Sequence, residues 1–140
     1  MPTQFSQEKF PPAPILEISL SQPLERAQTG LLPALIDTGA DFTMVPLHWL
    51  LRIDAPEIRS AHVRGLWSER QLVTLYLVDI HLETGTLSGV EVIGIDSTEE
   101  HFNDTDDEII LGRNVLNKLF LLLEGPNKLT HIYQSKPNFG

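Results

Sequence analysis

The chain contains no cysteine. Disulfides, thiolate nucleophiles and sulfur-ligated zinc are therefore excluded. Long apolar runs are missing too. The longest unbroken aliphatic or aromatic stretch, Leu119–Leu123, falls far short of the about 20 residues a membrane-spanning helix needs. Basic residues are scarce, 10 against 19 acidic ones, and the net charge of −9 argues against nucleic acid and anionic membrane surfaces as partners. The opening segment has neither a basic start nor an apolar stretch and does not read as a secretory signal. A soluble cytoplasmic protein is the expectation. No internal repeat is visible, and the most informative motif of the chain occurs only once.

What is present fits one globular domain. A length of 140 residues can bury a sizeable core without covalent staples. Apolar residues at 41% and charged residues at 21% are ordinary for such a domain. Residues 1–14 carry Pro2, Pro11, Pro12 and Pro14 and read as an extended, proline-rich N-terminal arm. The domain itself is expected over 15–133, with 134–140 as a C-terminal tail.

Within the domain, short strands dominate. Ile15–Leu20 alternates apolar and polar positions, and Leu31–Ile36 is a short apolar run. Phe42–Val45 continues as extended chain, and Pro46 starts a short helix through Leu51. Ala61–Arg64 and Gln71–Leu82 read as the arms of a hairpin with Gly65-Leu66-Trp67-Ser68 at its tip. Leu87–Ile95 and Ile109–Leu111 are further strands, separated by an acidic loop over Ser97–Glu108. Arg113–Leu119 has helical spacing. Phe120–Leu123 and Leu129–Tyr133 flank a turn at Glu124-Gly125-Pro126-Asn127. Many short strands and little helix predict an all-β domain.

The chemistry concentrates in Asp37-Thr38-Gly39-Ala40, directly behind Leu31–Ile36. A carboxylate at the end of a buried strand costs free energy unless it is paired or protonated. Such groups are kept mainly where their ionisation does a job. Taken alone, Asp37 is better read as an ordinary Asx-turn residue closing a strand. A second segment changes the balance: Ile109-Ile110-Leu111-Gly112-Arg113-Asn114-Val115-Leu116. An apolar strand into Asp-Thr-Gly-Ala-Asp, followed later by an apolar strand into Gly-Arg-Asn and a short helix, resembles the retropepsins, the aspartic proteases typified by retroviral proteases. The resemblance covers Ile15–Tyr133.

That resemblance implies an all-β, single-lobe acid-protease barrel with one short C-terminal helix. It also implies an aspartic endopeptidase that uses no cofactor and no metal. Asp37 would be the catalytic carboxylate, supported by Thr38, Gly39 and Ala40. Thr38 would hydrogen-bond across a dimer axis, and Gly39 would let substrate backbone approach closely. Ala40 offers the carboxylate no hydroxyl, which favours a proton shared by two carboxylates up to milder acidity than in pepsin-like enzymes. Asp41, Gly112 and Arg113 would brace the active-site loop. Gly39, Asp41 and the hairpin residues Arg64, Gly65, Leu66 and Trp67 would contact substrate, the hairpin acting as a flap. Retroviral flaps carry several glycines at the tip, and this one pairs a single glycine with Trp67. Viral dimers also interleave short termini into a sheet, and the longer termini here predict a differently built interface.

Peptide hydrolysis by this route needs two carboxylates around one water. Pepsin-like chains supply both from two motifs. Here Glu83-Thr84-Gly85 is better read as a strand-connecting turn, and Asp96-Ser97-Thr98 lacks the glycine. The second carboxylate must be Asp37 of another copy, so a homodimer with a peptide or protein substrate is expected.

Two rival readings accompany this one. The fold could hold peptides without cutting them, as an interaction module. Alternatively, Asp37 and Asp41 could serve a metal hydrolase, for which the spacing is poor. The five histidines (His48, His62, His81, His101 and His131) show no ligand spacing and read as surface or hydrogen-bonded residues. Trp49 is expected in the core, and Trp67 in the flap or pocket.

Overall fold

A computed structural model describes residues 1–64, 70–96 and 107–138. Strands β2 (Ile15–Ser21), β3 (Leu32–Ile36), β4 (Thr43–Pro46), β5 (Glu57–Arg64), β6 (Arg70–Leu82), β7 (Gly85–Ile95) and β8 (Ile109–Leu111) form one sheet in the order β2-β3-β8-β4-β7-β6-β5. A further pairing of β2 with β6 closes this sheet into a barrel, with β5 left outside the ring. β1 (Thr3–Gln4), within the proline-rich arm, joins β9 (Phe120–Glu124) and β10 (Leu129–Tyr133) in a second sheet of order β1-β10-β9. The chain is all-β, as its alternating pattern implies. Among the described residues two short helices interrupt it, α1 (Leu47–Arg52) behind Pro46 and α2 (Arg113–Leu116) behind Gly112.

The barrel interior follows from period-two patterning. Leu16, Ile18 and Leu20 of β2 all point inward and are essentially solvent-free. They meet Ala34, Val45, Val78, Ile80, Val92 and Leu111 from the other strands, and Leu50 and Val115 from the two helices. β6 buries both of its faces, in different places. Val78 and Ile80 belong to the barrel core, whereas Leu75 joins Ile93 and Ile95 in a second apolar cluster beside Phe42, Met44, Ala61 and Val63. Trp49 is half-buried against the main core, with the Arg52 guanidinium 5.2 Å from its ring centroid.

Several boundaries differ from the sequence reading, each for a local reason. β5 begins at Glu57 rather than Ala61 because β6 is long enough to pair it out to Tyr76. β7 begins at Gly85, whose φ of 141° suits the tight turn over Glu83-Thr84. Glu83-Thr84-Gly85 is thus a hairpin turn. α2 stops at Leu116 instead of Leu119, because Lys118 and Leu119 donate to carbonyls three residues back, at 3.0 and 3.1 Å, and tighten the last turn.

Candidate active site

β3 and β8 run parallel, with Ile36 opposite Leu111, and both strands end at the site. The Asp37 N–H continues the ladder by donating to the Leu111 carbonyl at 3.1 Å. The chain then turns tightly. The Ala40 N–H donates to the Asp37 carbonyl at 3.2 Å, and the Gly39 N–H donates to Asp37 Oδ1 at 2.9 Å. The Asx-turn chemistry is therefore present. It fixes the half-buried carboxylate at the strand end while Thr38 and Gly39 stay exposed. A Cβ at Gly39 would lie 3.2 Å from Asp37 Oδ1, so glycine keeps that oxygen unobstructed.

The second segment is stitched onto this turn. Arg113 and Asn114 donate their backbone N–H groups to the carbonyls of Ala40 and Asp41, at 2.8 and 3.3 Å. The Arg113 guanidinium donates to the Thr38 carbonyl at 2.8 Å and pairs with the Asp41 carboxylate. Arg113 and Asp41 meet as an ion pair beside Gly112, and the pair is exposed: the two charged side chains retain 45% and 74% of their accessibility. A buried ion pair would be worth several kcal/mol to keep intact, whereas an exposed one contributes about 0–1 kcal/mol. The role of Arg113 is therefore mainly geometric, through Thr38.

Gly112 marks a close crossing of two chain segments. A Cβ there would meet the Phe42 carbonyl carbon and oxygen at 2.5 Å and the Thr43 nitrogen at 2.9 Å, all of them backbone atoms that cannot swing away. Next to this crossing lies a polar cluster that the sequence reading missed. Fully buried Thr43 donates its hydroxyl to Asn114 Oδ1 at 2.9 Å and accepts the Gly112 N–H at 3.1 Å. The Thr43 N–H also donates to Asn114 Oδ1, at 2.9 Å, and Asn114 Nδ2 donates to the Glu91 carbonyl on β7 at 2.8 Å. This network ties the chain that follows the Asp37 turn, α2 and the barrel wall together. Its sequence signal was a lone threonine between Phe42 and Met44 and an asparagine directly after Arg113.

Gly65, Leu66 and Trp67, expected as a flap, and the side chain of Arg64 lie outside the described residues, as does His101. β5 and β6 nevertheless form the arms of their hairpin, paired from Glu57 to Arg64. Among the described residues no three His, Cys, Asp or Glu side chains converge in a way that could hold a metal ion. Asp37 and Asp41 do not form a joint donor set: one is turned onto Gly39 and the other onto Arg113. His81 bridges Ser21 Oγ and Thr86 Oγ1 at 2.8 and 3.0 Å, and His131 meets Glu124 at 2.8 Å. His48 lies 3.5 Å from Asp107. Among the described residues no helix is long and apolar enough to cross a membrane.

No protein-family model matches the chain, and no curated protein matches it. Among solved structures, the EIAV protease complexed with the inhibitor HBY-793 is similar in fold. The match covers 82% of this chain and 92% of that one, at 18% identity and a TM-score of 0.53. The barrel is therefore a single-lobe, retropepsin-like aspartic-protease fold.

Proposed function

We propose that this protein is an aspartic endopeptidase whose carboxylate dyad consists of Asp37 from two copies of the chain. The observation that carries this reading is the Asp37 turn held between β3 and α2. Its carboxylate is anchored by Gly39, and its Thr38 carbonyl is clamped by Arg113, within a barrel similar to a retroviral protease. A lone carboxylate cannot both activate water and protonate the scissile group. Two carboxylates sharing one proton can do so. One accepts a proton as the water oxygen attacks the peptide carbonyl carbon, while the other donates its proton to the carbonyl oxygen. Collapse of the tetrahedral adduct breaks the C–N bond: the leaving nitrogen takes up the proton held by the first carboxyl, and one hydroxyl of the adduct returns its proton to the second carboxylate, restoring the shared-proton dyad. An extended peptide would lie across the two copies beneath the β5–β6 hairpins. Gly39 and Asp41 would bind its backbone, together with Arg64, Gly65, Leu66 and Trp67.

Purified protein incubated with a mixed peptide library tests this. Cleavage is expected from the wild type and absent in Asp37→Asn. Activity per chain should fall when the protein is diluted to concentrations where it sediments as a monomer. An intact dimer that binds peptides and never cuts them would establish the interaction-module reading instead.

A further inference from the structure

A cavity of about 300 Å³ lies between the N-terminal arm, β3, α1 and the two residues that precede β8. Part of its lining is apolar. Ile15 and Leu35 sit opposite one another in the β2–β3 register, and they alternate with the core-facing Leu16 and Ala34, so both turn outward. The rest is charged. Glu8 and Lys9 come from the arm, and Asp107 and Glu108 from the chain leading into β8.

The charges do not balance. Three carboxylates stand against one ammonium, an excess of two negative charges while His48 is neutral. Lys9 takes Glu108 at 2.8 Å, and both partners are largely shielded, at 29% and 33% exposure. The cavity thus already shelters one basic side chain of the protein itself and still has space beside it. Asp107 has only the His48 ring, 3.5 Å away. Among the described residues no cation pairs with the Glu8 carboxylate.

This two-part lining selects its occupant. A purely apolar group would fill the space and strip water from carboxylates it cannot satisfy. An anion would be repelled. A bare metal ion is poorly served, because among the described residues no three His, Cys, Asp or Glu side chains converge to hold one. A long cationic side chain answers both parts, its aliphatic stem on Ile15 and Leu35 and its charged head at Asp107 and Glu8. Arginine fits better than lysine, since its planar fork can serve more than one carboxylate.

We infer that this cavity is a specificity pocket for an arginine side chain of the peptide substrate, with Asp107 and Glu8 as the residues that select it. The inference rests on the peptide-cleaving reading above and gives it a substrate class. Leu35 stands two residues before Asp37 on β3, about 7 Å along the strand. The selected arginine therefore falls within about three residues of the scissile bond.

Binding and cleavage test it separately. Short capped peptides with arginine fixed at each position in turn are compared with the same peptides carrying citrulline, which keeps the shape and removes the charge. Binding is measured on Asp37→Asn protein, cleavage on the wild-type chain. At one position arginine should bind about tenfold or more tighter than citrulline. The ratio should fall towards one when Glu8→Gln and Asp107→Asn are combined. Asp54→Asn with Glu57→Gln makes the same charge change on residues outside the cavity and should leave the ratio standing. The inference is overturned if no peptide binds, if arginine and citrulline bind alike at every position, if the preference survives Glu8→Gln/Asp107→Asn, or if the control pair abolishes it equally. The catalytic reading fails independently: an arginine preference that needs Glu8 and Asp107, in a protein whose wild type cuts nothing, would keep the pocket and remove the protease. Cleavage without that preference would keep the protease and remove the pocket.

Discussion

Arg113 donates to the Thr38 carbonyl across 75 residues of sequence, so the first residue of α2 holds the loop that carries Asp37. The accompanying contact to Asp41 is solvent-exposed and adds little stability. Arg113→Ala should therefore cost about 1–2 kcal/mol, a drop of a few degrees in melting temperature. It should cost far more in catalysis, because Thr38 loses its anchor. Arg113→Lys should rescue stability better than activity, since an ammonium cannot span Thr38 and Asp41 with a planar fork. Thermal melts and peptide cleavage on the same samples check both statements. A collapse of the fold, or an unchanged turnover rate, would contradict them.

Asp37→Asn should leave the loop intact. The amide oxygen can still accept the Gly39 N–H that now reaches Asp37 Oδ1 at 2.9 Å. The change removes only the ability to exchange a proton. Cleavage should fall to background while the melting temperature stays within a degree or two of wild type. Residual hydrolysis well above background would mean that the reaction runs through another group.

Much of this was legible in the sequence. Alternation along Ile15–Leu20 marked the inward face of β2, and Asp37-Thr38-Gly39 and Gly112-Arg113 stood out as two segments, which the structure joins by hydrogen bonds. What could not be read are contacts that depend on two distant segments meeting. Asp79 is an example. It alternates as a polar position in β6, yet it is buried, accepting the Leu24 and Gly89 N–H groups at 2.8 Å each. Both donors sit at positive φ, 70° and 65°, so the carboxylate pins two unusual backbone turns that no local pattern reveals. The exposure of the Asp41–Arg113 pair was equally invisible, since spacing says nothing about solvent. Thr43 gave only a weak signal because one threonine in a strand is commonplace.

The Thr43–Asn114 network should be costly to break. Thr43→Val keeps the shape and removes the hydroxyl. This leaves the Gly112 N–H without its acceptor in a buried setting. About 1–3 kcal/mol of destabilisation is expected. Gly112→Ala should be worse than a typical overpacking change of about 1–3 kcal/mol, because its methyl would run into backbone rather than a movable side chain. Urea unfolding of the two variants gives the ranking. Gly112→Ala as stable as wild type would show that the crossing can open.

The β9–β10 hairpin should show a measurable acid dependence. The Glu124 carboxyl is held below its ordinary value, first by the hydrogen bond to the His131 ring at 2.8 Å and then by the Asn127 amide at 2.7 Å. A group whose folded value is depressed stabilises the fold fully above its unfolded value. That contribution is lost as the pH falls through the folded value. Protonation in the acid range should therefore loosen this hairpin, while neutral pH leaves it whole. The pair is open to solvent, so the effect should be small in global stability and clear in a local titration. His131→Phe keeps a ring and removes the donor. Glu124 should then titrate closer to its ordinary value, as followed by carboxyl carbon shifts in NMR. Asn127→Ala should move it in the same direction by less. An unmoved midpoint in His131→Phe would show that this hydrogen bond does not set the Glu124 equilibrium. A downward move would mean that the ring opposes the carboxylate rather than supporting it.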